Sequence, residues 1–259
     1  DWGTVMDTNA NNNRESFEDQ QVIFVDTHLI QKAVEGLQRA REEFQTLLEQ
    51  AEGGDASVYY DLGVRYTEGD GTDKDPAQAA RWFALASEDG DLRATDLLGR
   101  CYQSGAGVEK DEARAAECYL QAAEQDYAPA QTNLAVCYFN GIGVDKDVEC
   151  AHQWLEKAAE QGQARAQSLL GSCYRDGDGV EADAAQAAEW YGKAAKQNYP
   201  PAMCSLGLAF ELGEGLTEDP AKAVYWYTKA AGEGYAPAMT NLAVCLLNGT
   251  GAERSAEEA

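Results

Sequence analysis

The sequence predicts an all-α fold, a solenoid of stacked helix pairs, and three observations carry that reading. Gly-x-Gly recurs at Gly69/Gly71, Gly105/Gly107, Gly141/Gly143, Gly177/Gly179, Gly213/Gly215 and Gly249/Gly251, always 36 residues apart. Leucine keeps the same period at Leu62, Leu98, Leu134, Leu170, Leu206 and Leu242, each followed by glycine or alanine. Alanine fills a third column at Ala94, Ala130, Ala166, Ala202 and Ala238. Columns that coincide in this way mark a repeat.

In chain order, residues 1–26 read as a polar segment, disordered or tag-derived, with "NANNN" near its start and one apolar run, Val22 to Val25. Residues 27–52 carry Leu29, Ile30, Ala33, Val34, Leu37, Ala40, Phe44, Leu47 and Leu48 at helical spacing. One amphipathic helix is expected there, covering the open edge of the first repeat. Residues 53–250 form the solenoid, and 251–259 an acidic C-terminal tail after an uncovered last helix.

Each repeat reads as two helices. The first spans about residues 56–68 in the first copy, with Val58, Leu62 and Tyr66 four apart on one face. Glycine then ends it, because glycine accepts the left-handed conformation of a helix stop. The second helix starts at Asp75, Asp111, Asp147, Asp183 or Asp219, whose carboxylates suit free backbone N–H groups. Pro76 and Pro220 follow at the first helical position. Stops are expected at Gly90, Asp126, Gly162, Asn198 and Gly234. Alanine columns let the helices approach, and Trp82, Trp154, Trp190 and Trp226 are expected to fill the space between units. On that reading Trp190→Ala costs on the order of 3–5 kcal/mol.

Charge narrows the function classes. With 45 acids against 20 bases the formal net charge is −25, which opposes sequence-independent binding to phosphate backbones and to anionic membranes. No apolar run approaches the roughly 20 residues of a membrane span. Two histidines, His28 and His152, give little material for a zinc site or a catalytic triad.

The stretches "LLGRCYQSGAGVEKDEARA", "LAVCYFNGIGVDKDVECAHQWLEKAAEQG" and "LLGSCYRDGDGVEADAAQAAEWYGKAAKQN" closely resemble the Sel-one-like repeat (SLR) family, a branch of the tetratricopeptide-type α-solenoids. The resemblance spans roughly three quarters of the chain, about residues 55–248. It implies a right-handed α/α solenoid of five to six 36-residue helix-turn-helix repeats with an N-terminal capping helix. It also implies a non-enzymatic protein–protein interaction scaffold, with no cofactor and no metal. Cysteine-rich members of the family tie their helices together with regularly spaced cysteine pairs, a regularity absent here. Cys101, Cys137, Cys173 and Cys245 share one column and read as small core residues in a reducing, cytoplasmic setting. The pairs Cys101/Cys118 and Cys137/Cys150 leave a secreted or periplasmic alternative open, in which the chain binds a host or envelope protein. Asp176–Gly179 invites a calcium reading, but the repeat turn and helix cap already explain it.

By the same resemblance the first helices line a concave groove. That places Arg93, Arg100, Val136, Phe139, Arg165, Arg175 and Leu208 on its surface: two pairs of arginines with apolar residues between them. Such a surface suits a peptide with acidic or carboxylate groups around an apolar anchor. The bland alternative is that the arginines pair with neighbouring acids such as Asp96 and Asp176. Arg65 is expected to reach Glu42 or Glu49 of the N-terminal helix. The acidic outer face is either a solvated surface or a docking face for a basic partner. Hydrolase-type catalysis finds no site in the sequence, and self-association through the exposed C-terminal repeat is a further expectation.

Overall fold

The computed structural model describes residues 27–251; the expectations for 1–26 and for the tail beyond 251 lie outside them. Twelve helices and no strand occur among the described residues. A long helix α1 (Thr27–Glu52) precedes five complete pairs: α2 (Tyr59–Glu68) with α3 (Pro76–Glu88), α4 (Leu92–Ser104) with α5 (Glu112–Ala123), and α6 (Ala128–Asn140) with α7 (Val148–Glu160). Then come α8 (Ala164–Asp176) with α9 (Ala184–Lys196), α10 (Pro200–Leu212) with α11 (Pro220–Gly232), and the lone α12 (Ala236–Asn248). The first helix of the first pair differs from expectation: residues 56–58 form a 3-10 turn before α2 begins.

The caps follow from residue chemistry. Asp75, Asp111, Asp147, Asp183 and Asp219 each accept hydrogen bonds from backbone N–H groups in the first turn of a second helix. Gly90, Asp126, Gly162, Asn198 and Gly234 all have positive φ, as the stop positions require. The first helices start differently. Asp91 and Gln163 cap with side chains, whereas α6, α10 and α12 place proline in the first two positions, where one unsatisfied donor is simply absent.

The core corrects the sequence reading at the tryptophans. Trp82 is buried, but Trp154, Trp190 and Trp226 are only half-buried, and Lys157 and Lys193 lie over the rings of Trp154 and Trp190. The deepest side chains are one residue later: Phe83, Tyr119, Leu155, Tyr191 and Tyr227. This column turns inward because it faces the small residue after the conserved leucine. A Cβ on Gly99 would stand 2.7 Å from the Tyr119 ring, and one on Gly171 2.8 Å from Tyr191. Where the second helix offers the narrower Leu155, the facing residue is Ala135 in the same core cluster.

Units stack through backbone. The second glycine of each Gly-x-Gly turn has positive φ and rests on the first turn of the preceding second helix. A Cβ at Gly107 would lie 2.0 Å from the Pro76 carbonyl oxygen, and one at Gly143 1.9 Å from that of Glu112. Gly71 meets the Ala40 carbonyl in the same way, at 2.2 Å. Residues 40–52 of α1 therefore occupy the place of a second helix, 36 residues ahead of α3 in register. Phe44 packs edge-on against Tyr66 with ring centres 5.2 Å apart. Glu43 and Gln50 stand where true second helices carry buried alanine, so this half of α1 presents a wet outer face, as an end cap must. The first half of α1 continues past the pairs, with Ile30, Val34 and Leu37 exposed.

Candidate functional site

The first helices α2, α4, α6, α8, α10 and α12 recur at one position in each unit, and their side chains build one shared face. Asp96, Thr132, Ser168 and Cys204, all in one column, are buried and form the floor of this face. The next turn of each helix supplies the accessible residues: Val64, Arg100, Val136, Ser172 and Leu208. Phe139 is half-buried and packs in the cluster of Leu155.

The arginines divide into two classes. Arg93 donates from Nε and Nη2 to Asp91, and its guanidinium lies 3.9 Å from the centre of the Tyr60 ring. Arg175 forks onto Asp176, Nε and Nη2 each at 2.8 Å from a carboxylate oxygen. These hydrogen bonds push the Arg175 pKa up and hold Asp176 below the usual carboxylate range. Both arginines are thus occupied locally: Arg175 by the expected Asp176, Arg93 by Asp91 rather than Asp96. Arg165 donates to the side-chain oxygen of Asn133 at 2.7 Å, and Asn133 in turn donates to Asp96 at 2.7 Å. Three units are joined by that relay. Arg100 is exposed and makes no ion pair among the described residues. It borders a cleft of about 560 Å³ between α2 and α4 that Tyr60, Val64, Thr67, Phe83 and Leu97 also line.

Asp96 is the unusual group in this face. Burial raises its pKa, against the opposing hydrogen bond from Asn133 and the positive fields of Arg100 and Arg165. A carboxyl whose folded pKa lies above its unfolded value destabilises the fold progressively as pH rises through that interval. Asp96→Asn is therefore expected to raise the thermal midpoint at neutral pH. The difference should vanish below the unfolded value, near pH 3. Calorimetry at both pH values checks it; an Asn variant less stable at pH 7 contradicts it.

All seven cysteines are free, Cys150 is half-buried, and burial raises the thiols of Cys118 and Cys137 to about 11. His152 is buried with its Nε2 making no hydrogen bond among the described residues, its ring edge-on to Tyr174 at 5.5 Å, and burial lowers its pKa. No cluster of three metal-ligating side chains occurs among the described residues, and no helix there is long and apolar enough to cross a membrane. Arg65 pairs with Glu43 at 3.0 Å and Asp70 at 2.9 Å, not with Glu42 or Glu49. Asn133 carries no signal in the sequence; its role depends on offsets of 37 and 32 residues between units, which no motif encodes.

Comparison with known proteins agrees with this architecture. The Sel1 repeat matches residues 56–91, 93–127, 128–163, 164–199, 200–235 and 236–259. No curated protein matches the chain. Among solved structures, a protective antigen present in uropathogenic Escherichia coli strains and displaying an SLR fold is 37% identical, with a TM-score of 0.75 over 83% of this chain. This chain spans 46% of that antigen's length. A Sel1 repeat protein from Oxalobacter formigenes is 28% identical, TM-score 0.74, covering 83% of this chain and 92% of its own. An immunity protein of Pseudomonas aeruginosa, 24% identical with a TM-score of 0.51, shares the fold over 71% of this chain and 68% of its own. With six repeats matched and the helix pairs stacked in register, the chain belongs to the Sel1 repeat family, whose members commonly act as protein-interaction scaffolds.

Proposed function

We propose that the chain is a binding module without catalytic activity, holding an extended or helical peptide along the face of its first helices. The observation that carries this reading is Arg100, a guanidinium in no ion pair among the described residues in a chain of net charge −25, at the rim of a cleft lined by Tyr60, Val64, Phe83 and Leu97 together with Glu68. Arg165, tethered through Asn133 to Asp96, supplies a second positive group two units on. Between them lie Val136 and Phe139, with Leu208 beyond. A carboxylate side chain bonds a guanidinium in a two-pronged geometry, and an apolar neighbour fills the gap. The global charge does not defeat this, because at physiological salt the screening length is about 8 Å and only nearby charges count.

The experiment is titration of labelled acidic-apolar peptides against wild type and an Arg100→Glu/Arg165→Glu variant, followed by fluorescence anisotropy. We expect selected peptides to lose at least about tenfold in affinity, roughly 1.4 kcal/mol. Unchanged affinity removes the groove reading.

A second reading has one observation behind it, the 37% identity to a protein described as a protective antigen. It makes this chain an exported or surface-exposed module that binds a host or envelope protein. Seven titratable thiols in the denatured, unreduced protein favour the cytoplasmic setting; fewer favour export.

A further inference from the structure

Three columns of the second helices change character at one place. Glu88, Glu124 and Glu160 are followed by Lys196. Ala84, Leu120 and Glu156, four residues earlier, are followed by Gly192. Arg81, Glu117, Gln153 and Glu189 are followed by Tyr225. All three departures meet at the seam between α9 and α11, and both helices belong to complete pairs. A cleft of about 600 Å³ opens there. Ala185, Ala188 and Gly192 line it from α9, Tyr225 and Trp226 from α11, and Phe210 from α10.

The fold does not require these residues. Gly192 is not among the glycines with positive φ, and a Cβ on it would meet nothing within 4 Å. A glycine inside a helix lowers stability, and neither a turn nor a close approach accounts for this one. It leaves open space in a cleft that also holds two adjoining rings, Tyr225 and Trp226, edge-on with centres 5.2 Å apart. In the second pair the same column holds Leu120, so a large side chain is compatible with the helix.

Charge says what the cleft admits. α9 and α11 carry Lys193, Lys196, Lys222 and Lys229 against Glu189 alone, in a strongly acidic chain. α5 and α7, by contrast, carry Arg114 and Lys157 against five glutamates. Glu189 pairs with Lys193 at 2.9 Å and Asp219 with Lys222 at 3.0 Å, while Lys196 and Lys229 are in no ion pair among the described residues. The Lys222–Asp219 pair is exposed, and pairs of that kind hold little energy, so Lys222 is free to exchange its partner. Its ammonium lies 5.2 Å from the centre of the Phe210 ring. We propose that this cleft is a second binding site, for an acidic peptide that inserts one aromatic side chain between α9 and α11 and sets its flanking carboxylates against Lys196 and Lys222. The ring gains apolar area and edge-to-face contacts with Tyr225 and Trp226, the carboxylates gain charge-assisted hydrogen bonds, and a basic segment is repelled. The site shares no residue with the cleft at Arg100 and does not depend on it.

Fluorescence anisotropy with a fluorescein-labelled peptide, Asp-Glu-Trp-Glu-Asp, tests it. Wild type is expected to bind, and Gly192→Leu and Lys196→Glu each to lose at least about tenfold in affinity. Both substitutions install a residue that other units already carry in the same column, and circular dichroism and the thermal midpoint check that the fold is kept. Arg100→Glu/Arg165→Glu should bind the probe as wild type does. A peptide with alanine in place of its tryptophan should bind at least about tenfold more weakly. No binding to wild type overturns the proposal, and so does an affinity that Gly192→Leu leaves unchanged. Loss of the probe in the arginine variant would place it on the first helices instead, and equal binding of the alanine peptide would reduce the contact to charge attraction; either result overturns the site.

Discussion

Tyr191→Ala is expected to destabilise the fold by about 3–5 kcal/mol, and the adjacent Trp190→Ala by only about 1–2 kcal/mol. The larger side chain thus has the smaller effect. Tyr191 is 2% exposed, fills the space over Gly171, and its hydroxyl stands 3.1 Å from that of Ser172. Removing it leaves a cavity that the rigid approach of α8 and α9 cannot close, so the cavity penalty adds to the transfer penalty. Trp190 lies half-buried at the seam, with the Lys193 ammonium 3.6 Å from its ring centre. Truncating it gives up one cation–π contact and partial burial, with water able to enter the space left. Urea unfolding of the two variants decides the order. Equal losses would return the tryptophans to the centre of the core.

The second large effect is expected at Gly143→Ala, a loss of several kcal/mol from a single added methyl group, on the scale of the strongest single-site defects. Two costs coincide there. The residue has φ +69, a conformation that side chains bearing Cβ rarely adopt. The new Cβ would also lie 1.9 Å from the Glu112 carbonyl oxygen, and that oxygen belongs to the main chain of a capped helix, so nothing flexible can yield. Gly162→Ala is the matched control. It has φ +88 but open space around the site, so it isolates the backbone strain alone. Thermal unfolding should rank Gly143→Ala well below Gly162→Ala, and equality would show that the stacking contact contributes little.

The repeat is legible because its columns are fixed by contacts that each unit makes identically. Asp75 and Asp219 cap because a carboxylate at a helix start has one best use, and Gly71 through Gly251 recur because no other residue fits against a carbonyl. The depth of the core is misjudged when size is read as burial. Tryptophan draws attention, while the mixed column Phe83, Tyr119, Leu155, Tyr191 and Tyr227 looks unremarkable in the sequence. A signal exists in the pairing of glycine with the aromatic members and of Ala135 with Leu155. The arginines are harder. Asp176 is adjacent to Arg175 and can be named, but whether Arg93 chooses Asp91 or Asp96 depends on which face of α4 each occupies. The relay through Asn133 spans three units and leaves no trace in any one of them.

The glycine that rests on a carbonyl has a consequence for how such molecules vary in length. Since the touching atoms are common to all amino acids, the rise and rotation from one 36-residue module to the next do not depend on which side chains the modules carry. Duplicating or deleting a module changes the extent of the superhelix by a whole step and leaves its pitch alone. Sequence drift on the face of the first helices can then change that surface while the step between modules stays constant.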